Sequence, residues 1–289
     1  MMIVEQFNAL FWSWGQMLKA LRSRTALLPF TIYAAAQVGV LFMLAGFAYP
    51  PLSYFVAPAL RWRFGERVLH YPDSFLALRG EFGQVDMILS VLLGALVIGT
   101  AVMIFAAFYE RRRVGFVGAW RAAASRYLRL VAVSAVVMVL AQLLSAIPMP
   151  FWSDLAENAP NMLRLLRAAS LFLVLAVQTL FVFAIPYIVL RDRGIVSAVA
   201  GSFGLALRNP VTAFLIVAVP TALELVPVAI SQKSQTIASR MAPEFLIVVM
   251  LLWIAIIFFV NYVTIGAVTR LFLHVTQDDT ADEDSRRGE

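Results

Sequence analysis

The sequence predicts an all-α integral membrane protein, a six-transmembrane-helix bundle with three amphipathic interfacial helices on its cytoplasmic side. Of the 289 residues, 62% are hydrophobic and only 14% are charged, whereas a soluble domain of this size has roughly 25% charged residues. The mean hydropathy is +0.84. Charges divide the chain into six apolar runs, each close to the roughly 20 residues with which a helix crosses a bilayer. A water-soluble protein is therefore excluded.

The apolar runs are the predicted membrane spans: 27–49, 87–109, 130–151, 168–190, 210–231 and 245–269. They are apolar on every face, which favours helices, because a membrane strand alternates polar and apolar residues. Residues 27–275 form the predicted membrane domain, with 50–86 as its largest outer loop. An interfacial helix over 1–26 precedes it. The acidic tail over 276–289 lacks large apolar residues, which predicts disorder.

The distribution of basic residues predicts the orientation. Of the 23 Lys and Arg residues, 15 lie on the side of the six spans that holds both termini. Such an excess marks the cytoplasmic side of a membrane protein. Both termini are therefore expected to be cytoplasmic, and the basic excess indicates contact with anionic headgroups rather than with nucleic acid.

Amphipathic stretches precede spans one, three and five, over residues 1–26, 114–129 and 194–208. In the first stretch Trp14 and Leu18 share an apolar face that Ser13 and Lys19 oppose, the spacing of a helix lying in the membrane interface. We hypothesise either a docking surface or an elbow that only positions the next span. Under the docking hypothesis the residues that bind anionic lipid or a protein partner are Arg121, Ser125, Arg129, Trp14, Lys19 and Arg208.

The second and third stretches align at an offset of 79 residues. This offset matches Gly115 with Gly194, and Ala119 with Ala198. The same offset matches Ala123 with Ser202 and Arg129 with Arg208. The chain therefore contains an internal repeat of an amphipathic helix followed by a span.

Residues with catalytic or metal-binding chemistry are few. The chain has no Cys and only two His, and the predicted topology places His70 and His274 on opposite sides of the membrane. The sequence contains no nucleophile elbow, phosphate loop or dinucleotide fingerprint. We expect no enzymatic activity, no metal site and no cofactor.

Glu224 is the only ionisable residue within the predicted spans, and Pro220 and Pro227 flank it. A carboxylate in lipid is costly, so we expect it to turn inward and pair with an amide or base, or to keep its proton. In the alternative, Pro227 ends the span and Glu224 reaches the outer interface. The amides inside the spans should face other helices or line a polar pathway with it, which makes the candidate intramembrane site Glu224, Gln142, Gln178 and Asn261.

Residues 185–194, with the sequence IPYIVLRDRG, are followed by Ala198, Ser202 and then Arg208-Asn209-Pro210. This stretch resembles a broad group of bacterial six-span membrane proteins that includes the membrane domain of glycerophosphodiester phosphodiesterases and related uncharacterised families. The resemblance covers residues 184–220 and, more loosely, 108–140. It implies a multi-pass protein of the bacterial cell inner membrane without catalytic residues, because in those phosphodiesterases a separate soluble domain carries the chemistry.

Two functions are consistent with these observations. In the first, the chain is a non-enzymatic integral membrane subunit or scaffold that associates with lipid and with another membrane complex or a second copy of itself. In the second, it is a transporter or permease-like subunit for a lipid or small amphiphile. An N-terminal interfacial helix, six spans and a basic helix between spans two and three are the general plan of exporter permeases.

Overall fold

The structure, a computed structural model, describes residues 3–21, 23–47, 49–71, 73–147, 159–231 and 242–287. Within these ranges the chain is helical, with short connections. The α-helices are α1 (Ile3–Ala20), α2 (Arg24–Ala45), α3 (Leu52–Phe64), α4 (Asp73–Leu89), α5 (Ala95–Tyr109), α6 (Phe116–Ala124), α7 (Tyr127–Ala146), α8 (Pro160–Phe181), α9 (Ala184–Arg191), α10 (Ile195–Arg208), α11 (Pro210–Ser231) and α12 (Phe245–Arg287).

Six helical stretches in the described residues are long and apolar enough to cross a membrane. They are Arg24–Ala45, Asp73–Tyr109, Tyr127–Ala146, Asn161–Arg191, Pro210–Ile230 and Phe245–Thr276. The prediction of an all-α, six-span membrane protein is confirmed, and the chain is a multi-pass membrane protein.

Two helices extend beyond the predicted boundaries. The second span is helical from Asp73 rather than from residue 87, with a π-helical turn at Ser90–Gly94 between α4 and α5. The last helix continues to Arg287, where the sequence predicted a disordered tail. A helix that has already formed extends without a new nucleation step, and no Gly or Pro interrupts residues 267–287. The predicted end of the third span at residue 151 lies outside the described residues.

The chain divides into two compact units. Unit 1 comprises Met1–Leu27, Ala95–Val219 and Val263–Glu289, and unit 2 comprises Leu28–Gly94 and Pro220–Tyr262. The core of unit 2 contains buried side chains of α2, α3, α4 and α12, with Phe82 against Trp253 at 6.1 Å between ring centroids. The remaining members of this core include Leu41, Leu44, Phe47, Val56, Leu60, Leu78, Met250 and Ile254.

Helices of unit 1 approach one another closely at glycines. A Cβ added to Gly99 of α5 would lie 2.8 Å from Leu130 Cδ1 of α7, and one added to Gly266 of α12 would lie 2.7 Å from Met17 Cγ of α1. A Cβ at either position would force the contacting Leu130 or Met17 side chain to shift. Gly99 and Gly266 therefore allow contacts that a larger residue would block.

A polar contact joins α1 to the start of α11. The side-chain oxygen of Gln6 accepts a hydrogen bond of 3.1 Å from the backbone N–H of Val211, and the Thr212 hydroxyl donates to the Gln6 carbonyl at 2.8 Å. The first N–H groups of a helix have no partner within it. Gln6 therefore acts as an N-terminal cap supplied by a distant part of the chain.

Ser202 of α10 forms hydrogen bonds with backbone groups at the break between α8 and α9. Pro186 lacks the N–H that would bond the carbonyl four residues earlier, and the helix is interrupted at residues 182–183. The Ser202 hydroxyl accepts from the backbone N–H of Phe183 at 3.1 Å and donates to the carbonyl of Leu180. One buried hydroxyl thus satisfies a donor and an acceptor that the break exposes.

The sequence repeat has a structural counterpart. Gly115 and Gly194 are the extended N-cap residues of α6 and α10, and the aligned positions that follow are fully buried, with Ala119 matching Ala198 and Ala123 matching Ser202. Whereas α10 is continuous to Arg208, α6 ends at Ala124.

Candidate functional site

An aspartate accepts two hydrogen bonds within the membrane-spanning part of unit 2. Asp86 lies on α4, and its Oδ1 accepts from Gln37 Nε2 at 2.8 Å and from the Tyr33 hydroxyl at 3.3 Å. Tyr33 and Gln37 lie four residues apart on α2, so they share one helix face. Tyr33 and Gln37 are both buried, and they fix the position of the carboxylate.

Glu224 of α11 is the second acid at this place. Its carboxylate interacts electrostatically with that of Asp86, and its side chain is half-buried. We expected Glu224 either to pair with an amide or base or to keep its proton, and its electrostatic interaction with another acid is a contact that neither alternative named. An acidic residue at the centre of a membrane helix costs roughly 3 kcal/mol by insertion measurements, so two neighbouring acids are an unusual arrangement.

The side-chain oxygen of Gln37 accepts no hydrogen bond from the described residues. Its side chain is fully buried, and within the described residues its Oε1 atom has no hydrogen-bond partner. We call Tyr33, Gln37, Asp86 and Glu224 the acidic cluster. Its two donors are both directed at one oxygen of Asp86, so the cluster has more acceptors than donors.

The other amides of the predicted intramembrane site are divided between the two units. Gln142 of α7 is exposed, with its amide 4.0 Å from the Met138 sulfur, and it belongs to unit 1. Gln178 of α8 is half-buried and also belongs to unit 1. Asn261 of α12 is half-buried in unit 2. An exposed glutamine on an apolar helix has the same sequence pattern as a buried one, so the sequence alone does not separate the position of Gln142 from those of Gln178 and Asn261.

Arg121, Ser125 and Arg129 do not share one helix as predicted. Arg121 is exposed on α6, Ser125 follows the end of α6, and Arg129 lies in the first turn of α7. The Ser125 hydroxyl donates to the carbonyl of Ala122 at 2.8 Å. Such local side-chain bonds compete with the helical ladder, and the predicted helix over 114–129 is divided here.

Arg129 is engaged within the protein. Asp192, which follows α9 in a left-handed conformation, accepts from Arg126 Nε at 2.9 Å and from Arg129 Nη1 at 3.1 Å. The hydrogen bond and charge of Arg126, with a smaller contribution from Arg129, hold the pKa of Asp192 below its ordinary value. Asp192 thus links the start of α7 to the connection between α9 and α10.

Trp14 and Lys19 lie on α1, whose orientation differs from the prediction. The packed stripe of α1 contains Leu10, Ser13, Met17 and Ala20, whereas the sequence placed Ser13 on the polar face. Trp14 is half-buried with its ring 6.2 Å from that of Phe11, and Lys19 is exposed. Arg208 is exposed in the last turn of α10.

A cleft in unit 1 combines basic and apolar walls. Its volume is about 390 Å³, and its lining consists of Ser23, Thr25, Ile104, Ala107, Phe108, Arg112, Arg113, Val114 and Gly115. We call it the basic cleft. Guanidinium and hydroxyl groups contribute to its lining together with aliphatic and aromatic groups, so its surface is amphipathic.

The chain reversal after α5 positions the two arginines of the basic cleft. Arg111 has a left-handed backbone with φ 56°, and its N–H and that of Arg112 bond the carbonyls of Phe108 and Ala107 at 3.2 and 2.8 Å. This pair of bonds is the Schellman motif, which ends a helix. Arg112 also forms an ion pair with Glu110, and both Arg112 and Arg113 are exposed.

Sequence reasoning missed Asp86, Tyr33 and the basic cleft. Asp86 directly precedes an apolar run and follows several charged residues, which suggested a loop in water. The i, i+4 spacing of Tyr33 and Gln37 inside span one is the signal that indicates a polar helix face. No group of three His, Asp or Glu side chains suited to a metal occurs in the part of the chain that the structure describes.

Comparison with known proteins returned no match to any protein family, curated protein or solved structure.

Proposed function

We propose that the chain is a non-enzymatic subunit or scaffold of the bacterial inner membrane that binds anionic phospholipid and associates with another membrane complex. The amphipathic surface of the basic cleft is the observation that carries this proposal. A phosphate group would contact Arg112, Arg113 and the hydroxyls of Ser23 and Thr25. An acyl chain would pack against Ile104, Phe108 and Val114.

The proposed orientation agrees with the proposed ligand. With both termini cytoplasmic, the connection between the second and third spans lies at the inner leaflet. Anionic lipids give this leaflet a negative surface potential, and each Lys or Arg near it contributes about 1 kcal/mol of attraction. Arg113 would contribute about 1 kcal/mol, which corresponds to roughly a fivefold change in affinity, and Arg112 would contribute less because it forms an ion pair with Glu110.

The test is lipid retention by the double variant Arg112→Gln/Arg113→Gln, purified in mild detergent and incubated with phosphatidylglycerol. Native mass spectrometry should show a much lower bound fraction than in the wild type. The matched control is Arg164→Gln/Arg167→Gln, which removes two basic residues of α8. Equal retention by both double variants would refute a specific role for the basic cleft.

A transporter or permease-like subunit for a lipid or small amphiphile is the second candidate function. The acidic cluster favours it, because a carboxylate inside an apolar membrane-spanning helix, such as Glu224 in α11, is costly and is commonly functional. Ligand sites of membrane transporters commonly use such intramembrane acids. Uptake of a ligand into vesicles containing the purified protein would separate transport from binding alone.

A further inference from the structure

We infer that the acidic cluster binds the protonated primary amine of a small amphiphile. This site lies in unit 2 and involves no residue of the basic cleft, so the inference is independent of phospholipid binding by unit 1. Four side chains form it, with Tyr33 and Gln37 from α2, Asp86 from α4 and Glu224 from α11.

The acidic cluster has more hydrogen-bond acceptors than donors among the described residues, so it can accept further hydrogen bonds from a ligand. The Gln37 amide and the Tyr33 hydroxyl both donate to Asp86 Oδ1. The acceptors left for a ligand are the Gln37 Oε1 atom, which has no partner among the described residues, and the carboxylates of Asp86 and Glu224. A primary ammonium group carries three N–H donors and matches these three acceptor groups.

Charge gives a second, separate reason for a cation. Two ionised carboxylates that interact inside the folded chain repel each other, and the side chains of Asp86 and Glu224 are both only partly exposed to solvent. One positive charge between them would remove the repulsion. A single shared proton would also lower the charge, but it supplies one donor and leaves Gln37 Oε1 without a partner.

The exposure of the surrounding residues indicates an amphiphile rather than a small hydrated amine. Gln37 forms the closed end of the site, since it is 0% exposed. Glu224 is half-buried, and its neighbours Leu223, Leu225 and Val226 are each about half exposed. Because α11 is one of the membrane-spanning helices, these aliphatic side chains face the hydrocarbon. A ligand that enters beside Glu224 would therefore leave its apolar tail along them.

The experiment measures binding of dodecylamine to the full-length protein in nanodiscs, by native mass spectrometry and by the shift in thermal unfolding temperature. Asp86→Asn and Glu224→Gln keep the side-chain shapes and remove one charge each. Asp73→Asn is the matched control, because it makes the same substitution at an exposed position of the same helix. Dodecyltrimethylammonium has the same charge and tail but no N–H donor, and sodium chloride alone tests for a metal cation.

Dodecylamine should stabilise the wild type and Asp73→Asn and should bind Asp86→Asn or Glu224→Gln at least about tenfold more weakly, since hydrogen bonds to charged groups are among the strongest. Dodecyltrimethylammonium should bind the wild type at least about tenfold more weakly than dodecylamine. In the absence of ligand, Glu224→Gln should unfold at the same or a higher temperature, because it relieves repulsion.

Three results would overturn the inference. The first is equal dodecylamine binding by the wild type and the two cluster variants. The second is equal binding of the trimethylated probe, which would leave charge alone as the determinant. The third is stabilisation by sodium without stabilisation by dodecylamine. A loss of stability in ligand-free Glu224→Gln would contradict it as well, because it would indicate that the Glu224 carboxylate stabilises the fold.

Discussion

Replacing Ser202 with Ala should destabilise unit 1 without creating a steric conflict. The hydroxyl is 0% exposed, accepts from the Phe183 N–H at 3.1 Å and donates to the Leu180 carbonyl. In Ser202→Ala both backbone groups lose their partner inside the protein. Each buried unsatisfied group costs about 1–3 kcal/mol, so we expect a loss of about 2–4 kcal/mol in the free energy of unfolding. The aligned position of the repeat is Ala123, which is also fully buried.

The assay is unfolding of the purified protein in mild detergent micelles by increasing concentrations of sodium dodecyl sulfate, followed by circular dichroism. The matched control is Ser197→Ala on the same helix, whose exposed hydroxyl bonds the Gly194 carbonyl at 3.2 Å. That variant should differ from the wild type by less than about 0.5 kcal/mol, as is usual for surface positions. Equal unfolding midpoints for both variants would refute the conclusion that the hydrogen bonds of Ser202 at the helix break stabilise unit 1.

The predicted topology is tested with single cysteines at Ser74, Ser234 and Ser285 of this Cys-free chain. An impermeant thiol reagent should label the cysteines at positions 74 and 234 in intact cells. Labelling of the cysteine at position 285 would contradict the predicted orientation. A further prediction is that the contribution of Asp192 to the stability of the protein depends on pH. Its pKa is lowered by Arg126, so the stabilisation is present above its ordinary pKa of 3.8 and is lost as pH falls through the lower folded value. The difference in unfolding temperature between wild type and Asp192→Asn should therefore shrink on acidification below 3.8, and a constant difference would contradict the ion pair.

The spans were predictable because hydropathy depends on local composition. The fifth predicted span, 210–231, has the same bounds as α11, and the sixth begins at Phe245 as predicted. The start of the second span was not predictable from charge alone. Residues between Asp73 and Asp86 include several charged side chains, yet the helix continues through them and buries Leu78 and Phe82. The start of this helix depends on tertiary packing, which cannot be read from the local sequence pattern.

The candidate site was predictable only in part. Glu224 was identifiable because an isolated acid within an apolar run is costly wherever it points. Its neighbour Asp86 was assigned to a loop, since the chain between them is 138 residues long and the pairing depends on how three helices pack. The same limit applies to Asp192, whose partners Arg126 and Arg129 lie 66 and 63 residues away.

The basic residues of this chain have two separate effects, one on membrane orientation and one on lipid binding. The pairing of Arg126 and Arg129 with Asp192 affects only the second. Charge bias sets topology as the chain inserts, and acidic residues contribute little to that bias. All the basic residues therefore count toward the orientation, including those that later form ion pairs. A folded lipid-binding surface instead depends on the charge that remains after pairing, and Asp192 reduces it at Arg126 and Arg129. The orientation prediction is therefore independent of the lipid-binding proposal. At the basic cleft Glu110 likewise pairs with Arg112, so the lipid-binding proposal depends most on Arg113 there.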